Sequence, residues 1–123
     1  MPTVLVVEDE FGIAELFDAV LTDEGYQVLI ATNGKLGLEQ LARKQPQLVF
    51  CDFMMPVMDG AAMLGRMKAD PALRDIPVVM MSSMPETVVA GRCSGYVTFM
   101  RKPFRLLDLL AVVERLLGKG NGH

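Results

Sequence analysis

The sequence of 123 residues predicts an α/β protein built on a doubly wound, five-stranded parallel sheet with helices on both faces. Two observations support this fold class. Short apolar runs alternate five times with segments of helical periodicity, and the apolar runs show almost no polar alternation. Because strands with nearly continuous apolar sequence are typical of sheets buried on both faces, the alternation predicts parallel (βα)5 units.

Each predicted strand is a short apolar run bounded by polar or turn residues. The first run is rich in β-branched residues and ends at acids, and the third is too short to form a helix of its own. Pro46 and Pro77 precede the third and fourth runs and separate them from the preceding units. The predicted strands cover residues 4–7, 27–31, 48–51, 78–81 and 96–100.

Each strand is followed by a segment with apolar residues every three or four positions. Gly25 ends the first helix, Asn33-Gly34 forms a turn before the second, and Asp59 is expected to cap the third. The fourth segment contains Gly91 and few strong helix formers, which predicts a short helix. The predicted helices lie near residues 13–21, 35–43, 60–67, 86–92 and 106–117, and Gly118 ends the last one.

Composition and charge narrow the class of function. The chain is 51% hydrophobic and 22% charged, as expected for one globular domain, here residues 1–118 followed by a flexible tail or linker start at 119–123. Its 12 basic residues are outnumbered by 15 acidic ones, which argues against direct nucleic-acid binding. The spacing of Cys51 and Cys93 does not indicate a zinc site. Without a basic leader or a long apolar run, we expect a cytoplasmic protein that does not enter the membrane.

Polar side chains stand where the predicted strands end. They are Glu8 and Asp9 after the first strand, Asp52 at the third, Ser82 and Ser83 at the fourth, and Lys102 after the fifth. Ligands of open α/β sheets bind beyond these strand ends. Three carboxylates in one crevice would repel each other unless a divalent cation offsets their charge, and Mg²⁺ prefers oxygen ligands and leaves room for phosphoryl oxygens. Asp52 is the best candidate phosphoryl acceptor, because carboxylates form aspartyl phosphates.

Four motifs, in this order, resemble the receiver domain of two-component response regulators, of the chemotaxis type. They are Val7-Glu8-Asp9-Glu10, Asp52-Phe53-Met54-Met55-Pro56-Val57-Met58-Asp59-Gly60, Pro77-Val78-Val79-Met80-Met81-Ser82-Ser83 and Lys102-Pro103-Phe104. The resemblance covers about residues 3–117. It implies a flavodoxin-like fold with strand order 2-1-3-4-5.

The resemblance also implies a phosphoacceptor site. A histidine kinase or a histidine phosphotransfer protein would donate a phosphoryl group to Asp52 in a Mg²⁺-dependent reaction. Glu8, Asp9, Asp52 and the backbone carbonyl of Met54 would hold the Mg²⁺ ion. The protein would then be a signalling switch that catalyses only its own phosphorylation and dephosphorylation, and not an enzyme acting on other substrates.

In such a switch, Ser82 and Lys102 would contact the phosphate, Ser83 would lie beside it, and Phe99 would turn inward as Ser82 moves. The Lys102-Pro103 bond is a candidate cis peptide. A downstream protein effector would read the change. A surface made by the fourth helix, fifth strand and fifth helix would bind that effector or form a homodimer.

Two departures from the common pattern of the family concern the phosphate. Met54 and Met84 occupy the two positions that tune how fast water removes the phosphoryl group, and thioethers can shield the phosphate but cannot orient water. We therefore expect slow self-dephosphorylation. Phe99 lacks the hydroxyl of the frequent tyrosine, so packing alone would drive its movement.

Other functions fit less well. A haloacid-dehalogenase-like phosphatase needs a second acid two residues after Asp52, where this chain has Met54. A nucleotide- or flavin-binding module needs a phosphate loop after the first strand, where this chain has acids. A pseudo-receiver that acts without phosphorylation stays open, and so does the choice between a single-domain regulator and a piece of a longer one.

Overall fold

Five strands and five helices alternate along residues 2–118, the part of the chain that the structure, a computed structural model, describes. The tail predicted at residues 119–123 lies outside the described residues. The strands are β1 (Thr3–Val7), β2 (Gln27–Ala31), β3 (Leu48–Asp52), β4 (Val78–Ser82) and β5 (Thr98–Arg101). The helices are α1 (Phe11–Asp23), α2 (Gly34–Arg43), α3 (Gly60–Ala69), α4 (Glu86–Ala90) and α5 (Leu106–Leu117).

All strands are parallel and lie in the order β2-β1-β3-β4-β5, which confirms the predicted doubly wound sheet. The order reverses at β1, which pairs with β2 on one side and with β3 on the other. Val7 at the end of β1 is in register with Cys51 near the end of β3. The residues that follow, Glu8 and Asp52, therefore lie side by side at the switch point of the sheet.

Two apolar cores explain why the strand sequences are continuously hydrophobic. Successive side chains of a strand point to opposite faces, so both faces need apolar residues when both are covered. On the face covered by α2, α3 and α4, the core includes Leu5, Val7, Val49, Cys51, Met63 and Met80. On the face covered by α1 and α5, it includes Val4, Val6, Phe17, Phe50, Leu109 and Val113.

Side-chain caps fix where two of the helices begin. The Asp59 carboxylate accepts a hydrogen bond from the backbone N–H of Ala62 at 2.8 Å, as expected for a cap of α3. Asn33 accepts one from the N–H of Leu36 at 2.9 Å at the start of α2. All the helices are short, the longest having 13 residues, and within residues 2–118 none has the length and apolar character needed to cross a bilayer.

The fourth helix and fifth strand differ from the boundaries that the sequence predicts. α4 ends at Ala90, two residues earlier than expected, with Gly91 as its C-cap. β5 begins two residues later than expected, at Thr98, and extends to Arg101, which is in register with Ser82. The sequence did not predict Arg101 as part of β5, because Arg101 is a charged, exposed residue on an edge strand. In such a strand, the pattern of apolar residues does not mark where the strand ends.

The close approach of α3 to the end of β3 gives a testable prediction. A Cβ atom on Gly60 would clash with the backbone oxygen of Asp52, whereas one on Gly65 of the same helix would meet nothing within 4 Å. We expect Gly60→Ala to lower the free energy of unfolding by about 2 kcal/mol, measured by urea unfolding. Gly65→Ala, the matched control, should raise it by up to about 1 kcal/mol. Equal effects would contradict the steric constraint at Gly60.

Candidate functional site

Three carboxylates converge at the carboxyl ends of β1 and β3. One oxygen from each of Glu8, Asp9 and Asp52 lies within 4.8 Å of the others. Glu8 and Asp52 are buried, with 1% and 5% of their surface exposed, while Asp9 is exposed. The parallel register produces this cluster, because it brings the ends of neighbouring strands to one edge of the sheet.

Lys102 lies against two of these carboxylates. Its ammonium group is 2.7 Å from Glu8 Oε1 and 3.3 Å from Asp52 Oδ1. The backbone holds it there, since the Lys102 N–H donates to the carbonyl of Ser82 at 2.8 Å, just beyond the paired part of β5. The next peptide bond, Lys102-Pro103, is cis, as expected. The site therefore joins the ends of β1, β3, β4 and β5.

The charges of the site shift the pKa values of its groups. Burial and the neighbouring Glu8 carboxylate raise the pKa of Asp52 from 3.8 to about 7, and the ammonium of Lys102 only partly opposes this. Burial tends to lower the pKa of Lys102, but its contacts with Glu8 and Asp52 outweigh burial and raise it. The carboxylates therefore carry more negative charge than one lysine can offset.

The serines after β4 lie in different surroundings. Ser82 is 2% exposed, and its hydroxyl oxygen accepts a hydrogen bond from the N–H of Met84 at 3.0 Å. The hydroxyl hydrogen of Ser82 remains available to donate to a bound ligand. Ser83 is exposed, and its carbonyl accepts a hydrogen bond from the Arg101 guanidinium at 3.1 Å. Both serines line the same cavity as Asp52.

That cavity has a volume of about 470 Å³ and opens over the strand ends. Its polar lining comprises Asp9, Glu10, Asp52, Ser82, Ser83 and Lys102. Its apolar lining comprises Ile13, Leu16, Met54, Pro103 and Phe104. Ile13 and Leu16 of α1 were not among the predicted site residues, because their spacing indicates a helix but not which surface each side chain lines. Phe104 belongs to the Lys102-Pro103-Phe104 motif, but the sequence predicted no role for it in the site.

Three of the predicted site residues do not line this cavity: the buried Glu8, Met84 and Phe99. Met84 is half-buried and packs against the core beneath α2, α3 and α4, as does Phe99. Phe99 is in register with Met80 on the edge strand β5. Any influence of Phe99 on the cavity must therefore pass along β5 to Lys102 or through the neighbouring strand β4.

The loop between β3 and α3 contains a strained residue that the sequence did not reveal. Val57 has a φ of 69°, in the left-handed region that disfavours β-branched side chains, and is 78% exposed. Residues without a Cβ, or Asn, are typical of such a position, so valine gave no signal of it. Strain of this kind persists only where surrounding contacts hold the loop, here including the bond from Gly34 N–H to Met58 O at 2.9 Å.

The donor set fits a hard divalent cation. The three carboxylates offer oxygen ligands of the kind that Mg²⁺ prefers, and two of them are too buried for water to screen their mutual repulsion fully. Burial and the repulsion from Glu8 raise the pKa of Asp52, and a cation at this point would offset that repulsion. The cluster can therefore hold a metal ion.

The model of the response regulator receiver domain matches residues 4–114. This chain belongs to the response regulator receiver family. Receiver domains are signalling switches of two-component systems, and their partners are histidine kinases and downstream effectors.

Relatives of this receiver include both short and long proteins. Sporulation initiation phosphotransferase F of Bacillus subtilis is 33% identical over 116 residues, which are 93% of this chain and 92% of the relative. The master transcriptional regulator RpaA of Synechocystis is 33% identical over 119 residues, 95% of this chain but 49% of the relative. The chain thus spans about half of RpaA and 25% of the response regulator PleD of Caulobacter vibrioides.

Solved structures show the same architecture. The signal receiver domain of a signal transduction histidine kinase from Syntrophus aciditrophicus is 35% identical, with a TM-score of 0.86 over 95% of this chain and 90% of that one. The chemotaxis response regulator CheY4 of Vibrio cholerae is 28% identical, with a TM-score of 0.87 over 95% and 99%. These likenesses confirm the flavodoxin-like receiver fold.

The raised pKa of Asp52 predicts how stability depends on pH without divalent cations. Because the native pKa of Asp52 lies above its unfolded value, the contribution of Asp52 to stability is fully present below about pH 4 and is lost as the pH rises through about 7. Asp52→Asn mimics the protonated form, so at pH 8 we expect it to raise the free energy of unfolding by about 2 kcal/mol. At pH 4 the gain should disappear.

Urea unfolding of both proteins in EDTA at the two pH values measures this difference. Asp75→Asn is the matched control, because Asp75 is an exposed carboxylate far along the chain from the cluster. If Asp52→Asn raises the free energy of unfolding at pH 8 by no more than Asp75→Asn does, the ionised Asp52 carboxylate does not destabilise the native structure.

Proposed function

We propose that this receiver accepts a phosphoryl group on Asp52 from a phosphohistidine of a histidine kinase or a histidine phosphotransfer protein. The observation that supports this most directly is the Lys102 ammonium 3.3 Å from the buried Asp52 carboxylate, at the opening of a cavity lined by serines. Glu8, Asp9, Asp52 and the Met54 carbonyl would hold Mg²⁺. Bound Mg²⁺ supplies positive charge that offsets the negative charge of the phosphoryl oxygens.

The side chains of the receiver position and neutralise the transferring group. An Asp52 oxygen attacks phosphorus, so that a P–O bond forms while the P–N bond to the donor imidazole breaks. Lys102 can turn its ammonium from the carboxylates toward a phosphoryl oxygen, and the free hydroxyl hydrogen of Ser82 can donate to another. Ser83 lies beside them at the cavity wall. Catalysis of this kind is mostly orientation and charge neutralisation.

The same contacts would drive the switch. Ser82 at the end of β4 is in register with Arg101 of β5, the strand that carries Phe99. A pull on Ser82 toward the phosphate would move the end of β4 and open the space into which the half-buried Phe99 turns. The surface beside Phe99, formed by α4, β5 and α5, exposes Leu107 of α5 and Val97 directly before β5. We propose that a protein effector or a second copy of the chain binds there.

Intact mass after incubation with acetyl phosphate tests the phosphoacceptor role. With Mg²⁺, we expect the protein to gain one phosphoryl group, and Asp52→Asn to gain none because the acceptor oxygen is lost. Asp75→Asn, which changes an exposed carboxylate outside the site, should gain it like the parent. If the folded parent takes up no phosphoryl group from acetyl phosphate or from phosphorylated histidine kinases, the pseudo-receiver reading replaces this proposal.

The methionines predict a long-lived phosphoryl group. Met54 and Met84 offer water no strong hydrogen-bond acceptor, so changing both to glutamine should speed the loss of phosphate about three- to tenfold. Because Met54 lines the cavity and Met84 does not, Met54→Gln alone should account for most of the change. The decay of the phosphorylated mass at neutral pH measures this. Equal lifetimes of the double variant and the parent would refute it.

The expected cytoplasmic location of the protein stays a prediction.

A further inference from the structure

Met54 differs from the other methionines within residues 2–118 in its exposure to solvent. It is 53% exposed, the only methionine of that range among the exposed large hydrophobic side chains. Met63, Met67, Met80, Met81 and Met100 are buried at 5% exposure or less. Met55, Met58 and Met84 are half-buried and pack against the core beneath α2, α3 and α4. Among these methionines, Met54 is therefore the one most accessible to an oxidant in solution.

Met54 is exposed in the wall of the proposed phosphoacceptor cavity. It lines the same cavity as Asp52, Ser82 and Lys102, two residues beyond the proposed phosphoacceptor. The other exposed apolar side chains of the β3–α3 loop, such as Val57, carry no oxidisable atom. A chemical change at Met54 therefore alters the wall of the site without disturbing either buried core.

We propose that Met54 is an oxidation site through which hydrogen peroxide shortens the lifetime of the phosphoryl group, an inference that rests on the phosphoacceptor function proposed above. One oxygen atom passes from the peroxide to the thioether sulfur. The O–O bond breaks, an S–O bond forms, sulfur loses two electrons, and the peroxide is reduced to water. Methionine sulfoxide is reduced back by dedicated reductases, so the change is reversible.

The consequence follows from polarity. The thioether of Met54 is a weak hydrogen-bond acceptor that shields the site, whereas the sulfoxide oxygen is a strong acceptor that can hold and orient a water molecule. A water held beside the acyl phosphate at Asp52 attacks phosphorus more often. Oxidation should therefore raise the dephosphorylation rate at least about threefold, well below the effect of a true general base.

The experiment treats the full chain with a limiting amount of hydrogen peroxide and maps the gain of one oxygen atom by peptide mass spectrometry. The treated and untreated proteins are then phosphorylated with acetyl phosphate and Mg²⁺, and the decay of the phosphorylated mass is followed. Met54→Leu, which keeps an apolar side chain without sulfur, undergoes the same treatment. Met54→Gln supplies a polar side chain without any oxidant.

We expect Met54 to be the first methionine of residues 2–118 to gain oxygen, and the lifetime of the treated parent to fall at least about threefold. The lifetime of Met54→Leu should be the same before and after treatment, and that of untreated Met54→Gln should resemble the treated parent. Earlier oxidation of any other methionine of residues 2–118, or an oxidised Met54 with an unchanged lifetime, would overturn the proposal. If the phosphoacceptor function itself is wrong, the untreated parent gains no phosphoryl group. That result is distinct from the two above, and it overturns the proposed effect on lifetime as well.

Discussion

The contact of Lys102 with Glu8 and Asp52 is the interaction on which the site depends. It places an ammonium between two buried carboxylates, 2.7 Å from one and 3.3 Å from the other. Without it, two negative charges would stand side by side in a region of low dielectric constant, where their repulsion is poorly screened. With this contact, one ammonium group offsets the charge of two carboxylates, and Asp9 adds a third carboxylate nearby. The cluster therefore keeps a net negative charge that a bound cation can neutralise.

The sheet supplies the precision that this interaction needs. Glu8, Asp52 and Lys102 come from the ends of three different strands, and parallel register brings those ends to one edge. Each strand behind them is packed on both faces, so the backbone positions are held by two cores and not by the loops alone. Gly60 contributes by allowing α3 to approach the backbone of Asp52. Ser82 and Phe99 lie on β4 and β5, two paired strands that extend from the acidic cluster to the distant edge of the sheet.

Much of this could be predicted from the sequence, because the information is local or periodic. Continuous apolar runs gave the strands, and acids directly after them gave the cluster, since strand ends meet in a parallel sheet. The parts that escaped depend on tertiary contacts. The limits of β5 depend on its pairing with β4. The apolar wall of the cavity depends on the position of α1 next to the strand ends. The left-handed conformation of Val57 depends on the contacts that hold the β3–α3 loop. The cavity position of Met54 and the core position of Met84 likewise follow from packing that periodicity does not encode.

The electrostatics of the site also explain why it can act as a switch. A carboxylate whose pKa is raised to about 7 is destabilising when ionised, so the native structure holds Asp52 at a free-energy cost in the absence of a cation. A metal ion and a phosphoryl group both change that balance, and each change acts first on Lys102 and Ser82, which contact the cluster and its cavity directly. Because Lys102 and Ser82 are joined by a backbone hydrogen bond at 2.8 Å, neither can move far without the other. In the switch that we propose, a change of charge at Asp52 would therefore move the ends of β4 and β5 together and so reach the proposed binding surface of α4, β5 and α5.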